Sequence, residues 1–506
     1  MIATHRRSVA FLSLSFLCLL FAAAELIPGR FAVTDEVFYK AAGRHWAATG
    51  HFAAPEIVGR LTQGPPLTEI YFAQPPLYTF FFGLYTKLVG FGPRTCILYD
   101  VLIHILLVWS AAVAGKVIFR LPWSLAALSG ALFLALGTAG RSDELGIVFA
   151  LSAAIAFRSS LPRTTVSLVG GAFLGLCAAT SLSAVVFLGP LTSWELIASR
   201  STVLEKIRAF SLALIAGLAA AAVCVAPILI YHPTAYKQLI EHAVVQSQLL
   251  KSTVGLHAAA VGPTLTWLSA LRYGPGYVVL VLGLLAFAVF CCLLDKTRAA
   301  TRYSRVLLAG LLLLCLVIAM PGRYLYLWYL SSWLILTCMA LAMNVWPSIP
   351  LGARRFLVAS GAFVWLAAAM PYLHSKAVLW TLPADQTLTI NMQRVRSQIP
   401  PGAGVMTTEY WWALADRDRV YDILFGNPAM AQVNYIIVSG NGSGKPGKPQ
   451  AIKAPYATPD LKVVYNHLNT APESILRLPI SRSAYGFGAY ILQRQPDRSS
   501  SESFLK

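Results

Sequence analysis

The sequence predicts a polytopic α-helical membrane protein of about eleven spans. It adds interfacial helices in the first outer loop and a small C-terminal α/β domain outside the membrane. Three observations lead there. Of 506 residues, 57% are hydrophobic and 12% are charged, about half the charge usual in a soluble domain. Apolar runs near span length recur along residues 1–375. Basic residues collect in every second connection between those runs, and these figures exclude both an ordinary soluble enzyme and a disordered chain.

The runs are roughly 8–27, 96–116, 122–140, 144–160, 165–181, 183–199, 210–231, 275–294, 306–321, 325–345 and 355–373. Alternate loops carry Arg6, Arg7, Lys116, Arg120, Arg158, Arg163, Arg200, Lys206, Arg208, Lys296, Arg298, Arg302, Arg305, Arg354 and Arg355. Short basic loops face the cytoplasm. The net charge of +19 is thereby mostly a matter of topology, and no nucleic-acid partner is needed to explain it. The N-terminus is placed in the cytoplasm. The long loops at about 28–95 and 232–274, and the tail from about 374, lie outside. Arg6-Arg7, an apolar stretch and Ala22-Ala23-Ala24 also fit a cleavable signal peptide, but Val9–Ala24 is long for one, so an uncleaved anchor is favoured.

The tail, residues 376–506, holds 14 Lys/Arg and 9 Asp/Glu and reads as a compact α/β domain, distinct from the transmembrane domain at 1–375. Helical spacing covers Gln386–Gln398. Strands are expected at Gly404–Thr408, Asn434–Ser439, Leu461–His467 and Gly488–Gln493. Tyr410-Trp411-Trp412 is read as core before sugar platform. Gly440–Pro446 is not a phosphate loop, since Pro446 stands where a magnesium-binding hydroxyl belongs. All eight cysteines fall in or beside apolar runs, with no disulfide framework or zinc spacing.

Chemistry is expected on the outer face. The first outer loop contains Asp35-Glu36-Val37-Phe38-Tyr39-Lys40. On a helix, neighbouring side chains diverge by about 100°, so the two carboxylates face different ways. Glu36, Lys40 and Arg44 stand four apart and can form an ion-pair stripe, leaving Asp35 to cap the helix or to act. Farther on come Pro75-Pro76-Leu77-Tyr78 and a short apolar run at 79–90 suited to an interfacial helix. Gly140-Arg141-Ser142-Asp143-Glu144 forms a second outer loop, where Ser142 is a good N-cap and the acids complement a helix dipole. Asp100 and His104, at i and i+4 inside the second span, are functional candidates because of their setting.

One apolar span, then Asp-Glu-x-x-Tyr, then Pro-Pro-Leu-Tyr before the second span, resembles the GT-C glycosyltransferases. The similarity is to the branch of protein O-mannosyltransferases and the lipid A aminoarabinose transferase, and it is strongest over the first 160 residues. It implies transfer of a sugar from a polyprenyl monophosphate to an acceptor hydroxyl, with inversion, on the outer face. The acceptor is a lipid, a glycan or a protein. Asp35 matches the family's base, and Asp143 its second acidic position. Glu36, Tyr39, Tyr78, Arg141, Lys237, Lys251, Arg323 and Tyr324 are the candidate substrate contacts. Arg141, the two lysines and Arg323 suit a phosphate. Some distant members use a divalent metal. The branch resembled here is thought not to, so a divalent metal is possible but not favoured, and no other cofactor is implied. Short basic loops and the absence of a retention signal suit a bacterial inner membrane. Two other readings stay open: a transporter or flippase for a lipid-linked glycan, and a non-catalytic relative of the family.

Overall fold

The computed structural model describes residues 2–29, 34–57, 63–135, 140–198, 202–242, 275–294, 327–380, 387–407, 410–421, 433–439, 461–467, 474–475, 478–479 and 489–494. The chain forms two compact units. One comprises 1–22, 72–78 and 100–372, the other 23–71, 79–99 and 373–506.

The described helices are α1 (Ile2–Leu26), α2 (Thr34–Thr49), α3 (Leu77–Val89), α4 (Pro93–Val117), α5 (Trp123–Leu134), α6 (Ser142–Phe157), α7 (Arg163–Ala178), α8 (Leu182–Ala198), α9 (Val203–Tyr231), α10 (Pro275–Leu294), α11 (Leu327–Val345), α12 (Leu351–Trp380), α13 (Leu388–Gln398) and the single turn α14 (Trp411–Leu414). Every apolar run named above falls on a helix, except 306–321, which lies outside the described residues. Among the described residues, four helices are long and apolar enough to cross a membrane, within Ser8–Leu26, Pro93–Val117, Val203–Tyr231 and Leu351–Met370. They differ in setting. The apolar window of α4 is 61% buried and that of α9 only 6%, so α4 is packed on most sides while α9 presents its apolar surface outward.

In the first unit, α7 lies against α9 so closely that neither tolerates bulk at the crossing. A Cβ on Gly171 would stand 2.2 Å from the Ala213 carbonyl oxygen, and one on Gly175 2.1 Å from that of Gly217. Small residues four apart on facing helices are the usual way to bring two backbones together in an apolar bundle. Ala153, Phe157, Val166, Leu196, Ala209 and Ala213 form the core beside this crossing. The start of α9 is fixed by a capping box. Thr202 Oγ1 accepts from the Glu205 amide at 3.2 Å, and Glu205 Oε2 accepts from the Thr202 amide at 3.4 Å.

In the second unit the tail builds a sheet in the order β2-β1-β3-β7-β4. Its strands are β1 (Gly404–Met406), β2 (Arg419–Tyr421), β3 (Tyr435–Ser439), β4 (Leu461–His467) and β7 (Ala489–Arg494), and a separate pair joins β5 (Ser474–Ile475) to β6 (Leu478–Pro479). β1 runs parallel to both β2 and β3, whereas β7 is antiparallel to β3 and β4. The four expected strands and the expected helix are present, and β2, β5, β6 and α14 are additions. On α13, Leu388, Asn391, Met392 and Val395 are buried at helical spacing. Tyr410, Trp411 and Trp412 are buried as core, and Tyr410 donates to Asn391 Oδ1 at 3.0 Å.

Candidate active site

The acidic loop of the first unit becomes the N-terminus of α6. Arg141 occupies the N-cap position with extended backbone and no side-chain cap bond. Ser142 is therefore not the cap; it is already the first helical residue, because the chain enters the helix one position earlier than the capping preference of serine implies. Asp143 and Glu144 sit in the first turn, where carboxylates complement the helix dipole. Both are buried, 5% and 1% exposed, and they take different partners. Asp143 Oδ1 accepts from Ser181 Oγ at 2.7 Å, and its Oδ2 accepts from Arg141 Nε at 3.1 Å. Glu144 Oε1 lies 3.1 Å from His104 Nδ1, while His104 Nε2 lies 3.1 Å from the Phe133 carbonyl oxygen. The imidazole is stacked on Phe21 at 5.0 Å between centroids. One turn earlier on α4, Asp100 is buried and accepts from the Tyr78 hydroxyl at 3.2 Å. Asp100 is thus engaged within the protein and is not a carboxylate reaching for water.

The segment carrying the proline pair is held from both ends. The Phe72 amide donates to Gln238 Oε1 at 2.6 Å, and the Leu77 amide donates to the Ala179 carbonyl at 3.0 Å. Those bonds fix the start of α3 and with it the position of Tyr78. Lys237, next to Gln238, points its side chain outward and is exposed.

The second unit holds the other acidic pair, in the first turns of α2. Asp35 lies on the helix, and its side chain is outside the described residues. Glu36 and Lys40 form a fully buried pair, Nζ to Oε1 3.4 Å, with both side chains 0% exposed. The expected stripe ends there. Arg44 turns to Glu56, reaching Oε1 from Nη2 at 2.6 Å and from Nε at 3.1 Å. The reason is reach: eight residues of helix separate Arg44 from Glu36 by about 12 Å, and a carboxylate in the following loop is nearer. Tyr39 is buried, and its carbonyl accepts from Thr79 Oγ1 at 2.8 Å. The Lys40 ammonium lies 5.6 Å from the centroid of Phe82 and 5.8 Å from that of Trp412, so aromatic faces compensate part of its lost hydration.

Lys251, Arg323 and Tyr324 lie outside the described residues. Several residues have no signal in the sequence. Ser181 is one. Another is the pair Lys376–Glu25, 2.9 Å apart and nearly buried, whose members are 351 positions apart. A third is a cavity of about 410 Å³ in the second unit, lined by Phe91, Arg94, Gln393, Arg396, Trp412 and Asp416 among others. Arg396 Nη1 is fixed there by both oxygens of Asp416, each at 3.0 Å. Its walls come from distant stretches of chain, which no motif could have joined. Among the described residues, no group of three or more His, Cys, Asp or Glu is placed to hold a metal ion.

No protein-family model and no curated protein matches the sequence. Among solved structures, the chain is similar to ArnT from Cupriavidus metallidurans bound to undecaprenyl phosphate. The identity is 12% and the TM-score 0.44, over 95% of this chain and 97% of that one. ArnT in the apo state gives 12% identity and a TM-score of 0.42 over 85% and 92%. The arabinofuranosyltransferase AftD from Mycobacteria gives 15% and 0.49 over 97% of this chain and 42% of its own length.

Proposed function

We propose that the chain is an integral-membrane glycosyltransferase of the GT-C type. Residues 1–375 form its transferase domain and 376–506 an extracytoplasmic domain. It moves a sugar from a polyprenyl-monophosphate carrier to an acceptor hydroxyl outside the membrane, with inversion at the anomeric carbon. Asp35 takes the acceptor proton as the new C–O bond forms and the bond to phosphate breaks. A positioned base contributes about 10²–10⁴ in rate. The leaving phosphate gains negative charge, which a cation held in place beforehand stabilises without reorganisation.

The observation that carries this reading is the clamp at the start of α6. Asp143, which the resemblance matches to the family's second acid, is buried, and Ser181 and Arg141 fix it from two sides. Such a carboxylate holds its guanidinium at the outer loop, in the orientation a phosphate can use. Tyr78 and the proline pair supply the second half of the resemblance. Glu36, Tyr39, Lys237, Lys251, Arg323 and Tyr324 remain the proposed contacts to donor and acceptor.

The test is transfer by purified protein in lipid, with a panel of undecaprenyl-phosphate sugars and a cell-envelope extract as acceptor source. Asp35→Asn is expected to fold and to lose transfer by about 10²–10⁴. Equal transfer in variant and wild type would remove Asp35 as base. A transport reading draws on one observation, the buried Asp100, His104 and Glu144 among apolar helices. It predicts that labelled lipid-linked glycan crosses a vesicle bilayer with the sugar still attached.

A further inference from the structure

The transfer reaction makes no use of a second cavity, of about 320 Å³, enclosed in the first unit by α5, α10, α11 and α12. Leu125, Leu128, Phe287, Met339 and Val364 are representative of its wall, and among the described residues no acidic one lines it. At roughly 30 Å³ per water-sized group, it has room for about ten methylenes. Water gains nothing in such a recess, because apolar cavities offer no hydrogen-bond partners.

The rim is chemically different. Lys116 Nζ donates to the Leu121 carbonyl at 3.2 Å and lies 5.6 Å from the Trp123 ring centroid. Arg354 donates to the carbonyls of Ile349 and Pro347 at 2.7 and 2.8 Å and lies over Trp346 at 5.9 Å. Leu121 and Trp346 are themselves wall residues. Two more cations flank the wall directly: Arg120 precedes Leu121, and Arg355 precedes Phe356. Both are exposed. Arg120 has φ 51° and is the one non-glycine residue with positive φ among those described. A backbone state that an arginine rarely adopts is held here beside an apolar recess.

We propose that this recess binds an anionic diacyl phospholipid, with an acyl chain in the cavity and the phosphate between Arg120 and Arg355. Charge complementarity selects the ligand: an apolar slot flanked by several cations matches a chain ending in a phosphate diester. Lys116 and Arg354 are tied to backbone carbonyls and shape the rim, while Arg120 and Arg355 meet the headgroup. The competing explanation is that these cations only set topology. That explanation gives no reason for a lipid to prefer this place.

The two separate in a binding experiment on the full chain, purified in detergent and stripped of lipid. Phosphatidylglycerol and phosphatidylcholine of identical acyl chains are added, and retained lipid and the thermal midpoint are read. Phosphatidylglycerol is expected to bind more tightly, by about fivefold per arginine, with the preference shrinking as salt rises. The double variant R120Q/R355Q should bring phosphatidylglycerol down to the level of phosphatidylcholine and leave the latter unchanged. Gly361→Leu should weaken both lipids. A Cβ there already meets Leu128 Cδ2 at 3.2 Å, so the rest of the side chain occupies the slot. The double variant decides the matter on its own if Gly361→Leu does not fold. Equal binding of the two lipids by wild type overturns the proposal. So does a preference that survives in R120Q/R355Q, and so does displacement of phosphatidylglycerol by equimolar undecaprenyl phosphate, which would assign the slot to a prenyl chain.

Discussion

Two acidic pairs, Asp35-Glu36 and Asp143-Glu144, look alike in the sequence and are handled differently by the fold. Each opens a helix, on which neighbouring positions diverge by about 100°. On α2, Glu36 is satisfied locally by Lys40, one turn along the same helix. On α6, remote partners join in: Asp143 takes Ser181 across 38 residues beside its neighbour Arg141, and Glu144 takes His104 across 40. The Glu36–Lys40 contact is one that helix spacing itself brings together. The second acidic pair has its geometry only once α4, α6 and the start of α8 are assembled. A carboxylate held by tertiary contacts is the more rigid reagent, and one held by its own helix is the more self-sufficient.

Breaking the local pair should produce the largest effect on stability. Lys40→Met leaves Glu36 fully buried beside an apolar side chain, and removal of one partner of a buried pair costs about 3–5 kcal/mol. Replacing both, E36Q/K40M, should recover most of that loss, since an apolar or neutral pair of similar volume is nearly as stable. Unfolding by denaturing detergent, followed by tryptophan fluorescence, measures both. If the double variant is as unstable as the single one, Lys40 acts mainly through its contacts with Phe82 and Trp412 and not through Glu36.

The same contrast explains what could be read in advance. Helices follow from apolar runs, which are local, and so does the Glu36–Lys40 pair at i and i+4. The strands β1, β3, β4 and β7 follow from β-branched and aromatic stretches such as Tyr435–Ser439. β2 was illegible because three residues behind Asp416-Arg417-Asp418 carry too little apolar pattern. Arg44 was assigned to the wrong carboxylate because Glu56 approaches from a loop whose path no spacing rule gives. Ser181, His104 for Glu144, and Lys376 for Glu25 are long-range choices made by packing. The residues expected to do chemistry were found through a resemblance and adjacency, and the groups that hold them in place were not.

Ser181→Ala sharpens the comparison on the other side. It removes one donor to a buried carboxylate and leaves Arg141, so the expected cost is about 1–3 kcal/mol. If Asp143 orients Arg141 toward the leaving phosphate, Ser181→Ala should lower kcat for transfer with little change in KM, and Ser181→Thr should restore part of it. A fall in stability with unchanged kcat would make the clamp purely structural.

The smallest effect concerns pH and again separates local from remote support. His45 lies on α2 beside Arg44. Burial lowers its pKa from the ordinary 6.5, with the Glu56 carboxylate pulling the other way and Arg44 and His51 adding to the lowering. A folded-state pKa below the unfolded value means that the unfolded chain binds the proton more readily. The neutral ring's contribution is therefore complete above about pH 6.5 and is lost as pH falls from there toward the folded value. Wild type should show a small drop in thermal midpoint between pH 7.5 and pH 5.5 that His45→Gln flattens. Glu56→Gln should enlarge the drop, because it removes a charge that favours the imidazolium and frees Arg44 to oppose it. A flatter profile in Glu56→Gln would mean that the remote carboxylate, and not burial in its own helix environment, sets the behaviour of this histidine.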